Sequence, residues 1–296
     1  MGAPGGGVAS LPCAYRAAAP FEATLETLVP GEPVLNIIVT VKQVVDPEAP
    51  LSAFKIDPEA RRAILGPGIP PVLNPYDEYA LEAALRIRDL HQCKVTAISM
   101  GTKLARAVLR KCLAAGADEL VLLEDDVFQD LDSYSTALIL AAAIKKIGKC
   151  ELALTGRLAA DTNAGQVGSS IAEIMGLPSV TLARKVEITD GRLKVERLVS
   201  DGYEVVEAPL PALVTVSHEL GELRRVSLRD LTAAQGKQVT TWRCQDLGIV
   251  SLPPKRLEML KLYIPPKETR CQIMEGKTDD EAAVNLALRL REARIL

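Results

Sequence analysis

Apolar residues, most of them β-branched, run nearly unbroken through VLNIIVTVKQV (Val34 to Val44). A run of this kind predicts a strand buried on both faces of a parallel sheet. Between Asp46 and Pro71 the pattern dissolves into prolines and ends in GPGIPP, which predicts turns and a short hairpin around Ala53 to Ile64. Helical spacing then takes over in NPYDEYALEAALRIRDL. Asn74 stands at the cap, Pro75 at the first helical position, and Asp77 and Glu78 in the first turn, where the helix dipole favours carboxylates. Ala80, Leu81, Ala84, Leu85 and Ile87 form the apolar stripe.

Strands and helices alternate from there. KVTAISM (Lys94 to Met100) reads as a strand, Lys103 to Ala115 as a helix stopped by Gly116, and Glu119 to Leu123 as a strand. Ser133 to Ile147 reads as a helix, Glu151 to Thr155 as a strand, Gln166 to Met175 as a helix and Ser179 to Ala183 as a strand. This order predicts an α/β fold, a doubly wound and mostly parallel sheet, with any ligand at the carboxyl ends of the strands. From Ala183 the pattern switches to alternation around two turn signals, Asp190-Gly191 and Asp201-Gly202, which predicts an antiparallel meander. Residues 217 to 240 are polar and irregular, and 251 to 270 are broken by Pro253, Pro254, Pro265 and Pro266. A last helix follows, with Thr278 and Glu281 as a capping box and Ala283, Leu286 and Leu290 at helical spacing. The predicted organisation is a Gly/Ala/Pro-rich arm (1–32), an α/β domain (33–247), and a C-terminal arm with a helix (248–296).

Charge and composition mainly exclude. Thirty-five Lys and Arg against 38 Asp and Glu leave a net charge of −3, without the basic surface that phosphate neutralisation needs, so nucleic acid is not an expected partner. With 3% aromatic residues, a base-stacking platform is not expected either. No run approaches the roughly 20 apolar residues of a membrane-spanning helix, so the chain is expected to stay out of the bilayer. The six cysteines form no CxxC pair, which suggests reduced thiols and a cytoplasmic location, and the two histidines cannot build a metal site. The N-terminus lacks the basic and apolar regions of a secretory signal. It also carries one Arg (Arg16) with Glu22, Glu26 and Glu32, unlike an organelle transit peptide.

Candidate chemistry concentrates in ELALTGRLAADTNAGQVGSSIAEIMG, where a buried strand runs through a loop of small residues into a helix. The helix N-terminus offers the N–H groups of Gln166, Val167 and Gly168 to an anion, and Asp161 and Asn163 can bond a ribose or base edge. Glycine at a βα turn is equally at home for purely steric reasons, and from the loop alone both readings stand. The loop has no lysine and no GxxxxGK[ST], so a triphosphate site of the Walker type is not expected; GxGxxG after a first strand and GxSxG are also missing. Glu124, Asp125 and Asp126 could approach a divalent ion, but acidic runs at strand ends are usually solvated.

Three blocks, VTVKQVVD (39–46), NPYDEYALEAALR (74–86) and GRLAADTNAGQVGSSIAE (156–173), together resemble the beta subunit of electron transfer flavoproteins. KVTAISMG, AGADELVLL and LKVERLVSDG follow at matching intervals. The resemblance covers about Leu35 to Leu247 and the terminal helix. It implies an adenine-nucleotide alpha-hydrolase-like fold and a heterodimer with a larger alpha subunit that carries the redox-active FAD. The beta subunit would hold AMP in the ordinary form, or a second FAD in electron-bifurcating members. Electrons would come from an acyl-CoA-type or other dehydrogenase and pass towards a membrane quinone reductase or, in bifurcation, between NADH, ferredoxin and a dehydrogenase.

Carried over by motif, the nucleotide site would comprise Thr40, Asn74, Pro75, Tyr76, Asp77, Met100, Gly156, Arg157, Ala159, Asp161, Thr162, Asn163, Ala164, Gly165, Gln166 and Val167. Leu158, Thr162 and Asn163 depart from the family's usual loop. The ending GQVG is closer to the FAD form, because Gly165 leaves room that an Asn would fill, so FAD is expected in preference to AMP. Residues 218–237 occupy the place of the family's dehydrogenase-docking loop, with Leu228 on the anchor position and Leu223 to Arg225 departing from its PRY. Glu196 resembles a carboxylate that pairs with the mobile flavin domain, and Lys42 would face the flavin between the subunits. The plainer readings are a Leu228 packed on its own domain, a solvated Glu196 and a structural Lys42. A competing function, an adenine-nucleotide-binding regulatory or adenylyl-transferring α/β protein, would need a pyrophosphate grip such as SGGxDS or HxGH, and neither string occurs.

Overall fold

The computed structural model describes residues 35–59, 61–66, 69–249, 251–265 and 271–296. The expected arm 1–32 lies outside them. The chain opens with β1 (Leu35–Thr40), β2 (Gln43–Val44), β3 (Phe54–Asp57), β4 (Arg62–Leu65) and β5 (Val72–Leu73). Helix α1 (Pro75–Leu90), β6 (Cys93–Gly101), α2 (Arg106–Ala115), β7 (Glu119–Glu124), α3 (Ser133–Ile147), β8 (Leu152–Gly156) and α4 (Val167–Met175) follow. Then come β9 (Ser179–Thr189), β10 (Arg192–Val199), β11 (Gly202–Pro209), β12 (Ala212–Val216), α5 (Leu228–Ala233), β13 (Val239–Trp242) and α6 (Asp279–Glu292).

Nine of these strands form one sheet in the order β11-β10-β9-β12-β8-β1-β6-β7-β13. It is parallel from β9 through β13, while β9, β10 and β11 form the antiparallel meander. β1 shows why its sequence is apolar at successive positions. Ile37 and Val39 pack on one face with Leu81, Leu85, Leu109 and Leu113 of α1 and α2. Ile38 packs on the other face with Ile139, Ile144 and Ile171 of α3 and α4. Helices cover both faces, so the fold is α/β and doubly wound, as expected. β2 and β5 pair antiparallel, and β3 with β4 makes the expected hairpin.

Four boundaries differ from expectation by more than a residue, one being the start of α2, at Arg106 instead of Lys103. The first strand stops at Thr40 and its expected end reappears as β2. β9 continues past Ala183 to Thr189, with Leu182 at φ +59 and a register shift against β12 marking the bend from parallel strand to meander. β13 begins at the end of the segment expected to be irregular, 217–240, and adds a parallel edge strand beside β7.

Among the described residues the chain divides into two compact units, one made of residues 35–55 and Leu65–Glu258, the other of Ile56–Ile64 and Met259–Leu296. In the second unit α6 starts at the expected cap, with Thr278 Oγ1 accepting from the Glu281 N–H, but the expected box is not closed: the Glu281 carboxylate accepts from the Lys277 N–H at 2.7 Å instead of that of Thr278. None of its residues is buried, and Val284, Leu286 and Leu288 are exposed.

Candidate functional site

The chain proceeds from β1 to β6 and β7 on one side, then returns through α3 to β8 on the other side of β1. The strand order therefore reverses between β1 and β8, the place where open α/β sheets hold ligands at their carboxyl ends. Thr40 ends β1 and is buried, Gly156 ends β8, and Met100 sits half-buried near the end of the adjacent β6. Three separate sequence blocks thus converge on one edge.

The loop after β8 is shaped from below. Pro75 opens α1 beside it, and Asn74, buried at the cap of α1, does not use its amide on the helix. Its Nδ2 donates to the Leu158 carbonyl at 2.9 Å, and its Oδ1 accepts from the Ala160 N–H at 3.1 Å. Asp77, one turn further, accepts from the Lys42 N–H at 2.8 Å and the Gly156 N–H at 3.1 Å. These two residues, expected to touch a nucleotide, are spent on holding strand ends and loop together. Lys42 reaches over the loop instead, with its ammonium 2.7 Å from Asp161.

Above this support the loop is open. Asp161, Thr162, Asn163, Ala164, Gly165 and Gln166 are exposed, and Ala159 is half-buried. Asn163 (φ +51) and Gly165 (φ +62) both take the left-handed region that turns the chain into α4. The first bond of α4 runs from the Ser170 N–H to the Gln166 carbonyl. The N–H groups of Val167 and the residues after it at this end have no helix partner, and the positive end of the helix dipole faces the loop. Arg157 stacks over the Tyr76 ring at 5.0 Å, and its buried Nε has no hydrogen-bond partner. Beside these residues a cleft of about 300 Å³ is lined by Pro47, Pro75, Tyr76, Tyr79, Ala160 and His218.

Gly156 serves packing rather than ligand approach. A Cβ there would lie 2.7 Å from the backbone carbon of Tyr76 and also against the Asp77 carboxylate. Gly156→Ala is expected to lower stability by about 1 to 3 kcal/mol, the scale of core overpacking. Urea unfolding would show it; an unchanged midpoint would mean that α1 can shift freely away from β8.

The second cluster of expected residues lies around α5. Ser227 caps it with a reciprocal box to Asp230, and Leu228 stands 83% exposed with Leu231 beside it. Leu228 is not packed on its own domain. The segment is fastened at both ends. Arg224 bridges Glu82 and Asp89 of α1, with contacts at 3.1 and 2.8 Å. Lys237 donates to the Leu113 and Ala117 carbonyls at the end of α2, at 2.9 and 2.8 Å, and Arg110 donates to the Ala234 carbonyl. Burial alone would raise the Glu82 carboxyl, but Arg224 and Arg86 outweigh it and hold Glu82 below the ordinary carboxylate range. The sequence reading met Arg224 only as part of a departure from the family's PRY and gave Glu82 and Lys237 no role. The available signal was Glu82 itself, a carboxylate inside the apolar stripe of α1.

Glu196, on β10, is engaged by its own chain. Arg184 donates to it at 2.8 Å, Lys185 approaches to 4.0 Å, and Arg184 also lies 3.8 Å over the Tyr203 ring. It is not a free solvated carboxylate. Among the described residues, no helix is long and apolar enough to cross a membrane.

Residues 68–247 match the electron transfer flavoprotein domain family. The chain is 37% identical to the caffeyl-CoA reductase-Etf complex subunit CarD of Acetobacterium woodii and 38% identical to the electron transfer flavoprotein subunit beta of Thermoanaerobacterium thermosaccharolyticum. Each alignment covers 88% of this chain and 100% of the relative. Protein FixA of Azorhizobium caulinodans is 36% identical over 73% of this chain and 77% of its own. A doubly wound sheet with an open βα loop at its switch point, the family match over residues 68–247 and relatives aligned over 73 to 88% of the chain make it a member of the electron transfer flavoprotein family, a beta subunit serving electron transfer.

Proposed function

We propose that this chain holds an adenine nucleotide within a heterodimer with an electron transfer flavoprotein alpha subunit, and that electrons reach the pair from a dehydrogenase or reductase acting on CoA esters. The observation that carries the reading is the loop between β8 and α4. Its small exposed residues, its unpartnered helix N–H groups and the orphaned Arg157 Nε lie together at the switch point of the sheet. These features fit an adenine nucleotide. Gln166, Val167 and the small residues Thr162 to Gly165 would hold its phosphates, with Thr40 and Met100 flanking it at the neighbouring strand ends. When bound as FAD, the group supplies reversible one- and two-electron chemistry; the chain's own residues bind and orient it.

FAD suits the loop better than AMP. Gly165 is exposed at φ +62 and carries no side chain to cover the loop, which supports close approach of a second phosphate to the backbone there. A complex with FAD in both subunits fits the bifurcating form, in which NADH and ferredoxin join the exchange; one FAD with one AMP fits transfer towards a membrane quinone reductase. The CoA-ester partner is supported by the relative named as part of a caffeyl-CoA reductase complex. Leu228 would anchor that partner, and Glu196 and Lys42 lie on the surfaces where the flavin domain would meet this chain. A cytoplasmic location accords with this reading.

Releasing the nucleotides of the purified heterodimer by denaturation and counting FAD per complex tests the assignment. Two FAD are expected; one FAD with one AMP would overturn the FAD assignment, and no nucleotide beyond one FAD would overturn the site. Gly165→Asn and Gln166→Ala are each expected to weaken nucleotide binding by about 1 to 3 kcal/mol, the scale of hydrogen bonds to charged groups. Asn is chosen at 165 because, of the residues with a side chain, it is among those that best tolerate the left-handed backbone of Gly165. Unchanged nucleotide content in both variants would remove the loop from consideration.

A further inference from the structure

The first turn of α1 meets the loop with two buried polar side chains, and each of their four terminal atoms has a partner in this chain. Asn74 clips the loop at Leu158 and Ala160. Asp77, 6% exposed, joins the ends of two neighbouring strands, accepting from Lys42 past β1 and from Gly156 at the end of β8. Lys42 then carries the connection over the top of the loop to Asp161, at 2.7 and 2.8 Å. The turn that the nucleotide would contact is therefore clipped by Asn74 and tied to both strand ends by Asp77, whose carboxylate the nucleotide itself does not need to touch.

We infer that Asp77 is a positioning residue for the nucleotide: its ionised carboxylate ties the ends of β1 and β8 so that the loop keeps the shape the ligand needs, and the chain holds its nucleotide less tightly once that carboxylate is protonated. The inference rests on the reading of 156–167 as the nucleotide site. An ionised carboxylate presents acceptors on both oxygens, whereas the acid places an O–H against one of two N–H donors.

Burial pushes the Asp77 carboxyl up to about 7, against the pull of the Asn74 amide, the Lys42 and Gly156 N–H groups and the Lys42 charge. The groups around it are few. Lys42 faces it from the end of β1, and Asp161 is reached through Lys42. Glu78 of α1 is paired with Lys111 of α2 at 2.6 Å. Cys112 of α2 is a thiol that burial, with the nearby Asp77 and Glu78 charges, pushes up to about 12, so it stays neutral through the range that matters.

The sign of the pH effect separates positioning from plain stability. The folded-state value of Asp77 is raised, so between the ordinary 3.8 and about 7 the folded chain holds a proton that the unfolded chain has released. The stability contributed by Asp77 is present below 3.8 and is lost as pH rises through about 7. Nucleotide retention should move the other way, rising over the same window as the carboxylate ionises. A role confined to stability would make both move together.

The test uses the heterodimer, whose alpha subunit is common to all samples. Wild type, Asp77→Asn and Gln166→Ala would be dialysed from about pH 8.5 to 5.5 and titrated with FAD or AMP, whichever the wild type retains. Each unit below pH 7 should weaken wild-type binding about tenfold, as the competent fraction falls. Asp77→Asn should bind weakly and lack the tenfold-per-unit fall of the wild type, keeping only the titration of the phosphate monoester at about pH 6 where AMP is the ligand. A flat wild-type profile, or an Asp77→Asn profile that titrates like wild type, would overturn the role of Asp77 while leaving the site in place. If Gln166→Ala binds as wild type at every pH, the site reading itself fails. The wild-type profile decides the matter even if the Asn variant does not fold.

Discussion

A chain carrying Leu260→Asp together with Leu288→Asp is expected to lose its hold on the alpha subunit by more than about 100-fold and to elute alone from sizing columns. Both residues are exposed in this chain, Leu260 by 79% and Leu288 by 54%, in a C-terminal region where Leu257, Met259, Tyr263, Ile273 and Leu286 are also exposed. Such density of unpartnered apolar side chains is rare on a monomer and common on an obligate partner surface, which buries roughly 2,000 Å² or more. Full burial of a leucine is worth about 1.5 to 3 kcal/mol, so two leucines lost are worth about two to four factors of ten in affinity. Neither side chain contributes to a core of its own chain, so the substitutions should leave the α/β sheet intact by circular dichroism. The same reasoning predicts that the unpartnered wild-type chain is short-lived in solution. Co-elution of the double variant at wild-type stoichiometry and nanomolar concentration would show that this arm does not bind the alpha subunit.

What could be read from the sequence depended on whether the cause of a feature was local. Helix α3 was legible to its boundaries, because Asp132 caps it through the Ser135 N–H and a continuous apolar stripe runs to Ile147. The central strands were legible because burial on both faces removes polar positions. β13 was not: VTTW is a four-residue edge strand whose cause is pairing with β7, far away in sequence. The length of β9 was missed because a change of pattern at Ala183 marks a change of neighbours, from parallel β12 to antiparallel β10, rather than an end of the strand.

The candidate site divides in the same way. Gly165 and Gln166 could be read from a strand, a loop and a helix start in one stretch of sequence. The roles of Asn74 and Asp77 could not. A cap residue and a carboxylate in a first turn already have local reasons to be there, in the helix end and its dipole. Only the packing of α1 against β1 and β8 turns both side chains towards the loop. Arg224 belongs to the same class, since its partners Glu82 and Asp89 lie on a helix more than a hundred residues earlier. The departure at Leu223 to Arg225 accordingly has a structural content: Leu223 packs on the core and Arg224 ties the segment to α1.

That fastening governs what Leu228→Ala should do. The variant is expected to slow electron transfer from the cognate dehydrogenase by weakening docking about 30-fold, with flavin content and heterodimer assembly unchanged. Leu228 projects from a six-residue helix that is capped by Ser227 and Asp230 and held at its two ends by Arg224 and Lys237. A large apolar side chain presented on a fixed support loses little conformational freedom on binding, which is the condition under which an anchor contributes most. Such anchors in desolvated pockets typically carry about 2 kcal/mol or more, and each 1.4 kcal/mol is a factor of ten. Because Leu228 is exposed, its removal leaves no cavity in this chain, so thermal stability should not move. The effect should therefore appear as a higher apparent KM for the flavoprotein in steady-state assays, with the rate at saturation and the flavin spectrum preserved. If the variant couples to its dehydrogenase as well as wild type at limiting concentrations, α5 is not the docking element, and the exposed strand β11, with Tyr203 and Val205 on its surface, becomes the next surface to test.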